Sequence, residues 1–243
     1  MKLINLIFLL IIISLVACNK EEDTVTTSSI SGKVKLYDDG NSNLDNNDMT
    51  ITVEGTSPLL SAKTNQNGEY SIQNIPFGSY TLQFNKIGYG TYKIFDAALT
   101  NSSGPVVIAE VANLGQISNT AIINKFSVSI SETTVEIKGT VNPTGTIETP
   151  KYVRLFYSTD ENVSNSNYTF YSDNNEVSDV TFNIQITKED LNTMGFETGT
   201  TVYIKAYGES YWSNSYEDPS SSKMLFPNLN SSSSEAASFI VPD

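Results

Sequence analysis

Short segments in which apolar and polar residues alternate recur along most of this sequence, and they constrain its fold more than any other feature. The clearest runs lie at 30–36, 80–84, 126–130, 180–186 and 202–206. Because neighbouring side chains of a strand point to opposite faces, a period of two is typical of half-buried antiparallel strands. A helical pattern is confined to one turn at 188–194. The sequence therefore predicts an all-β chain of two antiparallel β-sandwich domains in tandem.

The alternation is weakest at 113–119, and we place the boundary between the two domains there. The first predicted domain spans 29–112 and the second spans 120–243. The chain contains one cysteine, Cys18, so no disulfide can form within it. Each domain must therefore be stabilised by its own hydrophobic core.

The N-terminal segment combines a positive charge at Lys2 with an apolar run from Leu3 to Val16. This run has the length of a signal-peptide core and is too short for a membrane-spanning helix, which needs about 20 residues. Leu15-Val16-Ala17-Cys18 resembles the lipobox of bacterial lipoproteins. The resemblance implies that residues 1–17 are a cleaved signal peptide and that Cys18 carries a thioether-linked diacylglycerol, usually with an N-acyl chain. An ordinary secretory signal or a short anchor is the alternative.

A charged tether at 18–28 follows the predicted anchor. Its residues Asn19-Lys20-Glu21-Glu22-Asp23 resemble the surface-export signal of some Gram-negative lipoproteins. The resemblance implies an outer-membrane location with the protein facing the cell exterior. The alternative is a solvated spacer without a sorting function.

The charge balance and the absence of histidine exclude several function classes. The formal net charge is −13, and Arg154 is the only arginine. Nucleic-acid binding is not expected, because phosphate contacts need Lys and Arg. With no histidine in the sequence, Ser-His-Asp catalysis, Cys-His catalysis and histidine-ligated metal sites are excluded. A bound metal would need oxygen ligands, as Ca²⁺ and Mg²⁺ do.

The first domain carries a specific motif between Thr64 and Leu82, which reads TNQNGEYSIQNIPFGSYTL. This motif resembles that of the carboxypeptidase regulatory-like domains, which are transthyretin-like β-sandwiches, and Ile30-Ser31-Gly32-Lys33-Val34 resembles their opening strand. The resemblance covers 29–112. It implies that Gly68 forms a turn and that Pro76 and Gly78 form a corner. It also implies a packing, spacer or interaction module without catalytic activity.

The second domain resembles a fibronectin type III or related Ig-like sandwich. The segment from Gly199 to Tyr207 is similar to the penultimate strand of bacterial members. The stretch from Gly208 to Asn230 departs from their pattern, because it is longer and more aromatic than their usual hairpin.

An Asp- and Asn-rich loop at 38–48 is the candidate metal site. Oxygen ligands at alternate positions can converge on one Ca²⁺. The predicted calcium ligands are Asp39, Asn41, Asn43, Asp45 and Asp48. The loop does not match the EF-hand pattern, because Leu44 stands where that pattern requires glycine. The alternative is a turn without metal, since Asn and Asp favour turns.

Four aromatic residues cluster in or beside the irregular stretch of the second domain, namely Tyr207, Tyr211, Trp212 and Tyr216. Exposed aromatic rings beside Asn, Asp and Glu can stack on sugar rings, so this cluster is the candidate glycan site. The alternative is that these rings cover one end of the sandwich as part of its core.

Together these features predict a lipid-anchored surface protein that binds or supports other molecules and has no catalytic residues. Its partners would be the membrane, through the lipid, and either a protein of the outer membrane or a surface glycan. Calcium is the only cofactor that the sequence suggests. A carboxylate-dependent glycoside hydrolase remains an alternative, because that chemistry needs two Asp or Glu residues, but no motif nominates a pair.

Overall fold

The computed structural model describes residues 26–100 and 104–243, without the side chains of residues 124 and 125. The predicted signal peptide, Cys18 and most of the tether lie outside the described residues. Within the described ranges, no helix has the length and apolar character that a membrane crossing requires. The prediction of an all-β fold is confirmed, because among the described residues strands account for every regular element except one short helix.

The first group of strands forms two sheets. Its strands are β1 (Thr27–Tyr37), β2 (Thr50–Glu54), β3 (Leu60–Lys63), β4 (Glu69–Pro76), β5 (Gly78–Asn85), β6 (Tyr92–Leu99), β7 (Val106–Val107) and β8 (Ala112–Gly115). One sheet has the order β4-β1-β7, with β8 also paired to β1, and the other has the order β3-β2-β5-β6. Their facing sides bury a core that includes Ile30, Ile51, Ile72, Leu82 and Phe84.

Two pairings of β1 are parallel within a fold of several antiparallel sheets. Strand β1 pairs with β4 in the antiparallel sense, but it pairs with both β7 and β8 in the parallel sense. The alternation pattern indicates which side chains face the core, but it does not indicate whether the neighbouring strand runs parallel or antiparallel. Between β1 and β7 the chain passes through β2 to β6, and this long connection makes parallel pairing possible.

The motif of the first domain forms the turn and the corner that its sequence predicts. Gly68 has φ +79° and packs so closely on the Val34 carbonyl that a Cβ would collide with it. Only glycine combines this positive φ with the absence of a side chain. Strand β4 ends at Pro76 and β5 begins at Gly78, which forms the predicted corner.

The second group of strands forms another sandwich. Its elements are β9 (Ala121–Ile130), β10 (Thr134–Asn142), β11 (Lys151–Ser158), β12 (Phe170–Tyr171), β13 (Asn175–Val177), β14 (Thr181–Thr187), α1 (Lys188–Thr193), β15 (Thr201–Glu209), β16 (Tyr216–Asp218), β17 (Lys223–Leu225) and β18 (Ala237–Ile240). The sheets have the orders β14-β10-β9 and β12-β11-β15-β18, with β13 also paired to β11, and β16 and β17 form a separate hairpin. Helix α1 begins at the predicted turn, with a capping box between Thr187 and Asp190.

Strand β11 is buried on both of its faces. Val153, Leu155 and Tyr157 face the core between the two sheets. Phe156 belongs instead to a cluster on the opposite face, with Val163, Tyr207, Phe226 and Leu229. The loop after β11 and the segment after β15 therefore cover the outer face of this sheet. We call residues 210–230 the insertion, because they run well beyond a simple hairpin.

The only arginine of the chain lies within this outer layer. The Arg154 side chain is 7% exposed, and its Nε donates to Glu209 Oε2 at 3.1 Å. Its guanidinium lies 4.2 Å from the Phe226 ring centroid and also donates to the Ser172 carbonyl. Burial raises the pKa of the Glu209 carboxyl to about 7, although Arg154 and the Ser210 N–H lower it.

Glu209 is expected to give the stability of the protein a specific pH dependence. Because its pKa is higher in the folded state than in the unfolded state, the folded protein holds this proton more tightly. The contribution is fully present below about pH 4.5 and is lost as the pH rises through 7. Glu209→Gln should remove a decline in unfolding free energy of roughly 2–3 kcal/mol across this range. Urea unfolding at pH 5, 6, 7 and 8 measures it, and parallel profiles for both proteins would contradict the assignment.

Candidate functional site

The insertion leaves its own sandwich and packs against the first domain. The Trp212 ring lies 5.3 Å from the ring of Tyr37 at the end of β1. Tyr216 packs between Phe95 and Tyr92 of β6, with ring centroids 5.8 and 6.4 Å away. At Gly115 the backbone of Trp212 comes so close that a Cβ would lie 2.6 Å from its carbonyl oxygen. The two sandwiches therefore share a packed junction.

Two buried asparagines connect the backbones at this junction. Asn228 Oδ1 accepts from Gly90 N–H at 2.9 Å, while Asn228 Nδ2 donates to the carbonyls of Gly115 and Trp212 at 2.9 and 2.6 Å. Asn214 accepts from Gly115 N–H at 2.9 Å and donates to Asn228 Oδ1 at 3.1 Å. Asn228 is fully buried, so its four hydrogen bonds satisfy an amide that would otherwise be costly to bury.

Asp39 also connects the two domains. Its carbonyl accepts from Tyr211 N–H at 3.0 Å, and its Oδ2 accepts from Asn119 N–H at 3.2 Å. Lys151 Nζ lies 3.6 Å from the same carboxylate oxygen, and both side chains are mostly shielded from solvent. The first predicted calcium ligand is therefore used in an ion pair across the junction.

The other predicted calcium ligands also have separate partners. Asn41 Oδ1 accepts from Trp212 Nε1 at 3.1 Å, Asp45 Oδ1 accepts from a backbone N–H two residues on, and Asp48 pairs with Lys63 at 3.6 Å. Asn43 forms a backbone bridge to Tyr37. In 26–100 and 104–243, no group of three Asp, Glu, His or Cys side chains is placed to hold a metal. The three carboxylates among the predicted ligands, those of Asp39, Asp45 and Asp48, therefore do not form such a group.

An open cleft of about 430 Å³ lies along the junction. Strand β6 supplies Tyr92 and Ile94 to its wall, the segment that leads into β8 supplies Glu110, and β8 supplies Asn113. The start of the insertion, including Tyr211 and Trp212, forms the opposite wall. A cleft of this size falls within the range of about 300–1,000 Å³ that is usual for small-ligand sites.

The chemistry of the cleft suits binding. Tyr211 is 42% exposed, and Trp212 is half-buried with its indole held by Tyr37 and Asn41. Burial raises the pKa of Tyr92, and the negative charge of Glu110 raises it further, so the phenol stays a hydrogen-bond donor at neutral pH. Glu110 is the only carboxylate among the described residues that line the cleft. Glycoside hydrolysis usually requires two facing carboxylates.

The structure separates the four aromatics that the sequence grouped as a glycan site. Tyr211 and Trp212 line the cleft, whereas Tyr216 fills the junction behind it. Tyr207 is 7% exposed and packs against Phe156 in the outer cluster, so it is not available to a ligand in the cleft. Sequence reasoning missed Tyr92, Glu110 and Asn113, because these come from the other domain and carry no local motif.

Comparison with known families supports the assignment of the first domain. Residues 29–112 match the carboxypeptidase regulatory-like domain. These residues contain the motif around Gly68 and strands β1 to β7, apart from Thr27 and Ser28. No curated protein sequence matches the chain.

Several solved structures resemble most or part of the chain at low identity. A candidate carbohydrate-binding protein from Bacteroides uniformis is 14% identical, with 88% of this chain and 98% of that chain covered and a TM-score of 0.33. A DUF3823 family protein from Parabacteroides merdae is 12% identical, with 86% and 98% covered and a TM-score of 0.32. A cohesin–X-dockerin complex from Acetivibrio cellulolyticus is 19% identical over 36% of this chain and 56% of that chain, with a TM-score of 0.30. Similarity at this level leaves the ligand of this chain to be argued from its own residues.

Proposed function

We propose that the protein is a lipid-anchored, non-catalytic binding protein of the outer membrane that faces the cell exterior and holds a glycan in the junction cleft. The observation that carries this proposal is the composition of the cleft. Aromatic rings of Tyr211, Trp212 and Tyr92 lie beside the hydrogen-bonding side chains of Glu110 and Asn113. Aromatic rings pack on the C–H faces of sugars, while carboxylates and amides bind their hydroxyls.

The rigid junction supports the proposal, because a ligand bound between two loosely linked domains must first order them. Here the walls of the cleft are fixed by the Asn214–Asn228 network and by the Asp39–Lys151 ion pair. The cleft is therefore formed before a ligand arrives. A preformed site loses less conformational entropy on binding.

The course of β1 supports display away from a membrane. The strand starts at Thr27, next to the predicted tether, and ends at Tyr37, which packs against Trp212 at the junction. Eleven extended residues span about 35 Å, since a strand rises about 3.3 Å per residue. In an anchored protein, the first domain would act as a spacer that carries the cleft outward.

Glycan binding is tested with two variants of the cleft wall. Tyr211→Ala and Glu110→Gln should each weaken binding at least tenfold in calorimetric titrations with oligosaccharides that a glycan array identifies. Glu110 is exposed, so Glu110→Gln should unfold at the temperature of the parent protein, whereas Tyr211→Ala also removes ring contacts with Tyr152 and Trp212. Tyr80→Ala is the matched control, because Tyr80 lies at the far end of the first domain beside Pro76. If the parent protein binds no glycan on a broad array, the result would contradict the proposal.

The anchor is tested separately through Cys18. Cys18→Ser should move the protein from the membrane fraction to the soluble fraction and abolish incorporation of labelled palmitate. A lipoprotein with two or three acyl chains is held firmly, since each buried methylene contributes about 0.8 kcal/mol. Protease treatment of intact cells should degrade the parent protein if it faces outward. Protection from the protease would contradict the outward orientation.

A further inference from the structure

A second groove of about 510 Å³ lies on the outer face of the second domain, away from the junction cleft. We call it the Tyr168 groove. One wall is formed by Tyr168, Thr169 and Tyr171, which follow the loop after β11. The other wall is formed by the β16–β17 hairpin, including Glu217 and Lys223. None of these residues belongs to the site described above.

The walls of the groove are fastened to each other and to the layer beneath. Tyr168 Oη donates to the Met224 carbonyl at 2.8 Å, and Lys223 Nζ donates to the Ser166 carbonyl at 3.1 Å. Below them, Tyr168 packs on Phe156 with ring centroids 5.3 Å apart, and Tyr171 packs on Phe226 at 4.8 Å. The groove is therefore preformed and rests on a buried aromatic cluster.

The groups that line the groove are suited to bind an uncharged molecule with many hydroxyl groups. The half-buried rings of Tyr168 and Tyr171 stand 5.6 Å apart at 90°, so they present two differently oriented apolar surfaces. Glu217 can accept hydrogen bonds from hydroxyls, and Lys223, whose Nζ lies 5.4 Å from the Tyr168 ring, can donate to them. The two formal charges cancel within the groove, although the chain as a whole is strongly acidic.

From these contacts we infer that the Tyr168 groove is a second saccharide site, which takes a neutral oligosaccharide. The inference rests on the proposed function for the class of ligand but uses different residues. The insertion joins the two sites, because Tyr216 points into the junction while its neighbour Glu217 lines the groove. Successive residues of a strand face opposite sides, so one short strand serves both sites. Two sites on one body would hold a long polysaccharide by avidity.

Amide chemical-shift titrations of the ¹⁵N-labelled protein test the inference. The probes are maltohexaose, cellohexaose, xylohexaose and mannohexaose, with hexagalacturonate as the charged comparison. At least one neutral probe should shift the amides of Tyr168, Tyr171 and Lys223, in addition to those of the cleft. Raising the salt concentration from 50 to 500 mM should leave this affinity unchanged within twofold, because no net charge is neutralised.

Variants of the groove wall distinguish the two sites. Glu217→Gln should weaken binding in the groove at least tenfold and leave the cleft unaffected, as should Tyr168→Ala. Glu217 is exposed, so its isosteric replacement keeps the test valid even where Tyr168→Ala unfolds. Lys138→Gln is the control, since Lys138 is exposed on β10 and pairs only with Glu136 in the described structure.

Each result has a defined meaning. Shifts confined to the cleft would overturn the second site and leave the proposed function intact. Shifts confined to the groove would support the second site and overturn the role of the cleft. Tighter binding of hexagalacturonate in the groove would overturn the assignment to a neutral ligand. Absence of chemical-shift changes with all five probes would overturn both proposals.

Discussion

Replacing Asn228 by alanine is expected to lower the free energy of unfolding by about 3–5 kcal/mol and to uncouple the two sandwiches. The change leaves Gly90 N–H and the Trp212 carbonyl without their partner in a buried junction. Each orphaned buried group costs about 1–3 kcal/mol, and the lost hydrogen bonds and packing add to this. The melting temperature should fall by about 10 °C, given about 2–4 °C per kcal/mol for a chain of this length.

Differential scanning calorimetry measures both parts of this expectation. The parent protein should unfold in one transition, whereas Asn228→Ala should show two, because the domains then melt separately. Asn183→Ala is the matched control, since Asn183 is exposed and its side chain bonds to Glu136 on the surface. A single transition within 2 °C of the parent would show that the asparagine network does not couple the domains.

Replacing Arg154 by methionine is expected to cost about 3–5 kcal/mol. The variant keeps much of the side-chain volume but leaves the Glu209 carboxylate, whose side chain has no solvent exposure, without its charged partner. Removing one member of a buried ion pair usually costs this much, because the remaining charge is desolvated and uncompensated. The effect should be larger at pH 8 than at pH 5, where the raised pKa of Glu209 lets the carboxyl become neutral.

A double variant separates the charge from the packing. Arg154→Met combined with Glu209→Met should recover most of the lost stability, because a well-packed apolar pair often replaces a buried ion pair without net cost. Urea unfolding of both variants and of the parent protein at pH 5 and pH 8 measures these losses. Equal losses for the single and the double variant would show that the guanidinium acts through its stacking on Phe226 rather than through the carboxylate.

Much of the strand architecture was predictable from the sequence, because it depends on local signals. The alternation from Ile30 to Leu36 lies within β1, and Val180 to Ile186 overlaps β14. The turn at Gly68 was readable since its positive φ and its close contact with Val34 both require glycine. Such features depend on residues near one another in the sequence, and a single chain displays them directly.

The candidate site was predictable only in part, because its walls come from distant segments. The sequence indicates Tyr211 and Trp212 as candidates because they are aromatics in an irregular stretch. Tyr92 and Glu110 lie about a hundred residues earlier, so no local pattern connects them to that stretch. The sequence also suggested that Asp39 and Asn41 would point inward to a metal. In the structure they bind Lys151 and Trp212 across the junction. The sequence shows that a loop side chain can form hydrogen bonds, but it does not show which group that side chain binds.

The uninterrupted course of β1 has a mechanical consequence for a molecule that is held at its N-terminal side. A pull on a ligand in the cleft passes through Trp212 to Tyr37, at the end of β1, and then along β1 toward Thr27. Strand β1 is hydrogen-bonded to β4 on one side and to β7 and β8 on the other. Both ends of this path lie on the same strand, so the covalent backbone of β1 carries the tension, while the pairing on both sides keeps the strand in place. Force between a bound ligand and the start of β1 would then be borne by covalent bonds rather than by the pairing between strands.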